Sequence, residues 1–385
     1  MHPILNLLNE RHEETVGLIG RMAECESPTD APSAVTAMAD LVIEETRDIA
    51  RGKTVNCGPK AGRAVMLEFD LPGPKRKTGA GVLGLGHIDT VWPVGTLKTM
   101  PLRREEGRLW GPGVFDMKSG IAFFIQAMRA LRDLDMAVKR PVRMWLAPDE
   151  ETGSDASRAM TEKHALAHAA VMVMEPGTGR EGKLKTARKG VGVYIIQAHG
   201  VAAHAGVDFA AGASAITEIA RQIVKVAGFC DLSKGLTLNP GTVAGGGRHN
   251  VVAERAMAEI DIRVRRIRDY EALDKKIQKL KAEDPRCRLT IEGGLNRPPM
   301  ERTKAIAGLF KTAKAIAKRD LGIVIDESET GGGSDGNFTA GIGAPTLDGL
   351  GGVGEGAHAP HESIFEDRID DRAALAALLV HHLGQ

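Results

Sequence analysis

Four short runs, Val65–Leu71, Gly81–His87, Val142–Ala147 and Ala169–Met174, are almost wholly apolar, and they constrain the fold of this chain more than any other feature. A run this brief and unrelieved reads as a strand buried on both faces, the habit of a sheet covered by helices. Between the second and third runs lies Ser119–Leu134, where Ile121, Phe124, Ile125, Met128 and Leu131 recur at helical spacing. Leu5–Met22 and Ala34–Ala50 also read as helices. Strands alternating with helices predict an α/β layer with a largely parallel sheet.

After Arg188 the pattern changes. Strand Gly190–His199, helix Ala213–Val226, strands Leu236–Ala244 and Arg255–Arg266, helix Asp269–Lys281 and strand Arg288–Gly293 follow in order. Ala256, Ala258, Ile260, Ile262 and Val264 alternate with polar or larger residues, the period of a half-buried antiparallel strand. The order βαββαβ is that of the ferredoxin-like split βαβ unit. Beyond Pro298 a helix resumes with Ile306, Leu309, Phe310, Ala313 and Ile316 on one face, then a short strand and a final helix from Asp370. With 385 residues the chain is long for one core. The expected architecture is an α/β domain over 1–187 and 298–385, with a smaller α+β domain inserted at 188–297.

A formal net charge of +1 gives no field that would draw nucleic acid or an anionic membrane. The longest apolar runs, such as that around Ile121–Ile125, are too short to span a bilayer. The opening MHPILNLLNERHEE turns acidic too soon for a signal peptide, so a cytoplasmic location is expected. Cys25, Cys57, Cys230 and Cys287 are scattered without a CxxC pair, and they read as small core hydrophobes in a reducing compartment.

The chemistry gathers at strand ends. His87, in GHIDTVWP, closes an apolar run, where ligands collect in open α/β sheets, and Asp89 is placed to hold its imidazole. Asp116, in GPGVFDMKSG, occupies a glycine-bounded loop before a helix. Glu150 and Glu151, in APDEETGS, are adjacent carboxylates that repel unless a cation or a shared proton offsets them. Glu175, in VMVMEPG, ends another buried run, where a carboxylate is costly unless paired. His358, in GEGAHAPHE, lies in a glycine-rich loop. Each alone reads equally as a structural histidine, an N-cap or a solvated turn. Together they are a nitrogen and oxygen donor set suited to zinc. Two imidazoles and three carboxylates can hold two metals if one carboxylate bridges, and a further carboxylate then remains as a general base.

These segments, in this order and at these separations, resemble the two-zinc exopeptidase and deacylase family of glutamate carboxypeptidase, acetylornithine deacetylase, succinyl-diaminopimelate desuccinylase and aminoacylase. The likeness runs over nearly the whole chain, and in that family the inserted domain is a lid and dimerisation domain. It implies two Zn2+ per subunit, with Co2+ or Mn2+ as substitutes. His87, Asp116 and Glu175 would hold one ion, and Asp116, Glu151 and His358 the other, Asp116 bridging. Glu150 matches the base that takes a proton from the metal-bridging water and returns it to the leaving amine, and Asp89 matches the partner of the first histidine. His204, in GVAAHAG, matches a residue that polarises the scissile carbonyl, commonly across a dimer.

Asn250 in GGGRHNVV, Arg263 in DIRV, and Gly332 and Gly333 in TGGGSD match positions that contact substrate, although Arg263 reads equally as an ion-pair partner. No Gly-Lys-Ser/Thr follows those glycines, which excludes a P-loop. Lys183 and Arg297 match cations of the glutamate carboxypeptidase branch. The resemblance therefore points to a carboxypeptidase acting on a small peptide and releasing C-terminal glutamate or another acidic residue, ahead of an N-acyl amino acid deacylase. A homodimer joined through the lid is implied, with neither nucleic acid nor membrane as partner. A non-catalytic binding dimer ranks behind, because every ligand and the base are present. A nucleotide-binding protein ranks last, because no GxGxxG follows a strand. His164 and His168, spaced i and i+4, read as a solvated helix face, as does the basic stretch Lys275–Lys281; His361 falls at a position variable in the family.

Overall fold

The computed structural model describes residues 2–74 and 80–385. Two compact units emerge, one reaching to Ala187 and resuming over Arg302–Glu329 and Ser334–Gln385, the other comprising Arg188–Glu301 with Thr330–Gly333. The second unit extends past residue 297 because Met300 pairs with Arg188. Among the described residues no helix is long and apolar enough to cross a membrane.

In the first unit helices α1 (Pro3–Glu10), α2 (His12–Glu24) and α3 (Pro32–Glu45) precede strands β1 (Ala50–Asn56), β2 (Arg63–Phe69) and β3 (Gly81–His87). The chain continues through β4 (Arg103–Glu105), β5 (Arg108–Trp110), α4 (Ser119–Asp133), β6 (Val142–Ala147), α5 (Arg158–Leu166), β7 (His168–Val173) and β8 (Leu184–Arg188). The stretch expected as one helix from Leu5 to Met22 is two, because Arg11 leaves the helical region at φ −102°, ψ 19°. Likewise α3 stops at Glu45, and the residues from Ala50 turn into an edge strand.

The second unit holds β9 (Gly190–His199), α6 (Ala215–Ala227), β10 (Thr237–Gly245), β11 (Arg255–Val264), α7 (Ile267–Ile277) and β12 (Arg288–Arg297). Its sheet runs β10-β11-β9-β12, antiparallel throughout. Tyr194, Ile196, Ile219, Ile260, Ile262 and Leu273 form a core of its own. This is the expected βαββαβ arrangement.

Back in the first unit come α8 (Lys304–Ile316), β13 (Glu327–Thr330), α9 (Asp335–Gly341), β14 (Thr346–Leu347), β15 (Gly354–Glu355), β16 (Ser363–Phe365) and α10 (Ile369–Leu383). The main sheet has the order β1-β2-β6-β3-β7-β14. It is mixed: β3 lies parallel to β6 and β7, and β14 parallel to β7, but β1–β2 and β2–β6 are antiparallel. A short connection between β1 and β2 permits only a hairpin, which reverses the flank of the sheet. Every residue of β3 is buried, as its apolar run requires. Helix α4 starts tight against the end of β7, since a Cβ at Gly120 would stand 1.9 Å from the carbonyl oxygen of Met174.

Two expectations are corrected here. Only Cys287 is buried; Cys25 and Cys57 are half-buried, Cys230 is exposed, and all four are free thiols. His164 and His168 do not share a helix face, because α5 ends at Leu166 and His168 opens β7. His168 is buried, and His164 packs on the Trp145 ring at 4.9 Å.

Candidate metal centre

Parallel pairing brings the carboxyl ends of β3, β6 and β7 level. His87 stands opposite Ala147, the last residue of β6, and Leu85 opposite Val173, the last residue of β7. His87 therefore ends its strand beside the turn bearing Glu150 and Glu151 and beside Glu175, two residues beyond β7. Asp116 arrives from the kinked turn Val114–Lys118 that leads into α4, its own backbone non-helical at φ −115°, ψ 96°, with a cis peptide to Met117. His358 comes from the loop between β15 and β16, with a left-handed φ of 61° that few non-glycine residues adopt.

The five side chains meet around Asp116. Its Oδ1 lies 3.3 Å from His87 Nε2, and its Oδ2 lies 3.6 Å from His358 Nε2. Glu175 Oε1 is 3.5 Å from the same nitrogen of His87, and Glu151 Oε2 is 3.1 Å from that of His358. Donor atoms of His87, Asp116 and Glu151 fall within 4.8 Å of one another. The cluster is sealed on one side and open on the other, with 1% of the His87 side chain exposed and 51% of the His358 side chain.

Asp89 braces the assembly. Its Oδ1 accepts from the Glu150 amide at 3.2 Å, and its Oδ2 from the Glu151 amide at 3.1 Å and from Thr29 Oγ1 at 2.7 Å. His87 Nδ1 lies 3.0 Å from the Asp89 carbonyl oxygen. A carbonyl only accepts, so Nδ1 carries a proton, and Nε2, which faces Asp116 and Glu175, is the nitrogen whose lone pair would be free for a metal once its own proton is lost.

The charges are unbalanced in a telling way. Burial disfavours a charged His87, yet hydrogen bonds to Asp116, Asp89 and Glu175 hold its pKa well above the usual histidine value. Hydrogen bonds donated to Asp116 and Glu151 raise His358 to about 10. Burial opposes ionisation of Asp116, but His358 and His87 together pull its pKa below the carboxylate range. Burial raises Glu151. The protein alone thus needs protons on both imidazoles to offset its clustered carboxylates. Divalent cations would supply that charge through the same lone pairs, and the mixed nitrogen and oxygen donor set fits zinc.

Glu150 sits half-buried in the short turn after β6. Lys183, in the same unit, is half-buried, and its amide donates to the Thr178 carbonyl oxygen at 2.9 Å. The remaining sequence-derived positions belong to the second unit. There His204 is exposed, and its Nδ1 accepts from the amides of Gly206 and Val207, both at 3.1 Å, which leaves the proton of the neutral ring on Nε2. Asn250 is exposed in the adjoining turn and accepts from the Ala205 amide at 3.0 Å. Arg263 grips Asp261 with two bonds of 2.9 Å, the ion-pair alternative, and also reaches the Gly331 carbonyl at 3.3 Å. Arg297 is buried and donates to Asn296 at 3.1 Å. The carbonyls of Gly332 and Gly333 accept from Arg188 at 3.3 and 2.8 Å.

Sequence reasoning missed Thr29, which holds Asp89, and Glu362, which is fully buried against the loop of Asp116. Neither carries a local pattern that separates it from an ordinary loop residue.

Comparison with known proteins places this geometry in context. The model for peptidase family M20/M25/M40 matches residues 84–382. Carboxypeptidase G2 of Pseudomonas sp. (strain RS-16) is 26% identical over 370 residues, covering 94% of this chain and 88% of that protein. The crystal structure of aminopeptidase PepT from Bacillus cereus ATCC 10987 superposes with a TM-score of 0.80 at 21% identity, covering 97% of this chain and 99% of that one. The YXEP protein of Bacillus subtilis, a dinuclear metal binding peptidase, gives a TM-score of 0.69 at 16% identity over 97% and 98% of the two chains. At these identities the structural likenesses show the fold.

Proposed function

The chain belongs to peptidase family M20/M25/M40 and is a metal-dependent hydrolase, and on that footing we propose that it is a two-zinc carboxypeptidase releasing a C-terminal acidic residue, glutamate above all, from a small peptide. The observation that carries the two-metal reading is the division of labour at Asp116, whose two oxygens face two different histidines. His87, Asp116 and Glu175 would hold one zinc, and Asp116, Glu151 and His358 the other. The metal pair, when bound, supplies Lewis acidity that polarises the substrate carbonyl and lowers the pKa of water.

The protein's own groups do the rest. Glu150 takes the proton from the attacking water as the C–O bond forms and then hands it to the nitrogen of the leaving amine, so that the amide C–N bond breaks as the carbonyl is restored. Asp89 keeps the proton of His87 on Nδ1. His204 offers the Nε2 proton of its neutral ring to the carbonyl oxygen as negative charge develops there. Lys183 and Arg297 give the released residue a cationic setting, and Asn250, Arg263 and the backbone of Gly332 and Gly333 complete the substrate contacts. Arg263 must exchange Asp261 for substrate to do so. The extent of the likeness to carboxypeptidase G2 supports this substrate class. The second unit is assigned to dimerisation, and four free thiols suit a reducing cytoplasm.

Zinc-loaded protein should cleave acyl-glutamates and dipeptides ending in an acidic residue faster than neutral dipeptides or N-acetyl amino acids. Turnover confined to N-acetyl amino acids would instead identify a deacylase. Glu150→Gln should lower kcat by about 10²–10⁴-fold with zinc retained. Undiminished turnover in that variant removes Glu150 from the mechanism.

A further inference from the structure

One carboxylate of the first unit is committed wholly to holding other parts of the chain. Glu362 Oε1 accepts from the amides of Phe115 and Asp116 at 2.9 and 3.0 Å. Its Oε2 accepts from the Gly113 amide at 2.9 Å and from Trp92 Nε1 at 2.6 Å. An ionised carboxylate has about four acceptor positions, and all are filled, so Glu362 has nothing left to offer a metal.

The origin of those donors is what matters. Gly113, Phe115 and Asp116 belong to the turn that delivers Asp116, and Trp92 belongs to the loop that follows His87 at the end of β3 and carries Asp89. Glu362 itself stands four residues beyond His358. One buried side chain therefore joins three loops that each bear or directly follow a proposed zinc ligand. A carboxylate shared by two ions must point each oxygen at its own site, and a loop free to rotate would lose order on every binding event.

We propose that Glu362 is a positioning residue for the zinc pair, holding the turn Gly113–Asp116 so that Asp116 presents one oxygen to each histidine before any metal arrives. This rests on reading the five-residue cluster as a zinc site.

Glu362→Gln tests it. The variant keeps the volume, but its NH2 replaces one oxygen, so whichever way the amide turns some of the four N–H groups meet a donor. Zn2+ affinity of the metal-free wild type and of E362Q would be measured by competition with a chromophoric chelator. Circular dichroism of the metal-free proteins and amide exchange at Phe115 and Asp116 would be followed alongside. We expect zinc binding about 10–100-fold weaker in a variant whose metal-free spectrum matches the wild type. Wild-type affinity in folded E362Q overturns the role. If E362Q does not fold, exchange in the wild type decides: amides protected before zinc is added sustain the role, and amides that exchange freely until zinc binds overturn it. Failure of the wild type to bind zinc overturns the metal site and this role together, whereas normal binding with an unaltered variant overturns the role alone.

Discussion

Asp89 is held from three sides, by Thr29, by the amides of Glu150 and Glu151, and by the loop it shares with His87. Asp89→Asn would turn an NH2 toward one of those donors and unsettle the turn of the base and, through it, the loop whose carbonyl receives the His87 proton. Zinc affinity measured by chelator competition should fall about 10–100-fold; an unchanged affinity would show that the bracing is dispensable. A second prediction concerns His164, which burial, then the nearby charges of His168 and Lys163, push down to about 4. An unfolded histidine titrates near 6.5, so between those values the unfolded chain binds the extra proton. Stability should be full above about pH 6.5 and drain away as pH falls toward 4. His164→Phe keeps a ring on Trp145 and should narrow the gap between melting temperatures at about pH 7 and pH 5; a gap as wide as the wild type's would refute the assignment. At this scale the metal-ligand candidates were legible because charged residues at the ends of apolar runs demand a reason. Glu362 was not, since its partners are backbone amides of a turn far away in sequence, and backbone leaves no mark on composition. His168 misled because helical spacing says nothing about where a helix stops.

Among the elements, α9 shows how much can hang on a cap. Ser334 Oγ accepts from the Gly336 amide at 3.0 Å and donates to Asp348 at 2.9 Å, while Asn337 accepts from the Ser334 amide at 2.9 Å. Ser334 is fully buried, so Ser334→Ala removes a donor to a buried carboxylate as well as a cap. The expected cost is about 2 kcal/mol, seen as a lower urea midpoint at unchanged slope; a loss below about 0.5 kcal/mol would show the cap to be redundant. Strands β3 and β6 could be bounded from sequence to the residue, because burial of nearly every side chain leaves a short apolar run in each, interrupted in β6 by the half-buried Arg143 alone. Strand β1 could not. It pairs on one side only, and Arg51, Gly52 and Lys53 face solvent, so it lacks any apolar period. The break at Arg11 was equally silent, having neither glycine nor proline to announce it.

For the whole molecule, the proposed ligands all lie in the first unit, and the second has a separate core. Zinc at a thousand times its dissociation constant would stabilise the unit that binds it by about 4 kcal/mol. Chelation should therefore lower the melting transition of the first unit by roughly 10 °C and leave that of the second in place. Calorimetry with and without chelator checks this, and an equal shift in both transitions would contradict it. Chain order adds a consequence of its own. The second unit is threaded between Glu175 and His358, so during synthesis four of the proposed ligands and the base emerge first, then an entire second core, and only afterwards His358 and Glu362. A nascent chain on the ribosome can assemble one half of the centre at most. The hydrolytic machinery is thereby armed late, after the whole second core and most of the first unit have emerged and little of either is left unfolded for it to attack.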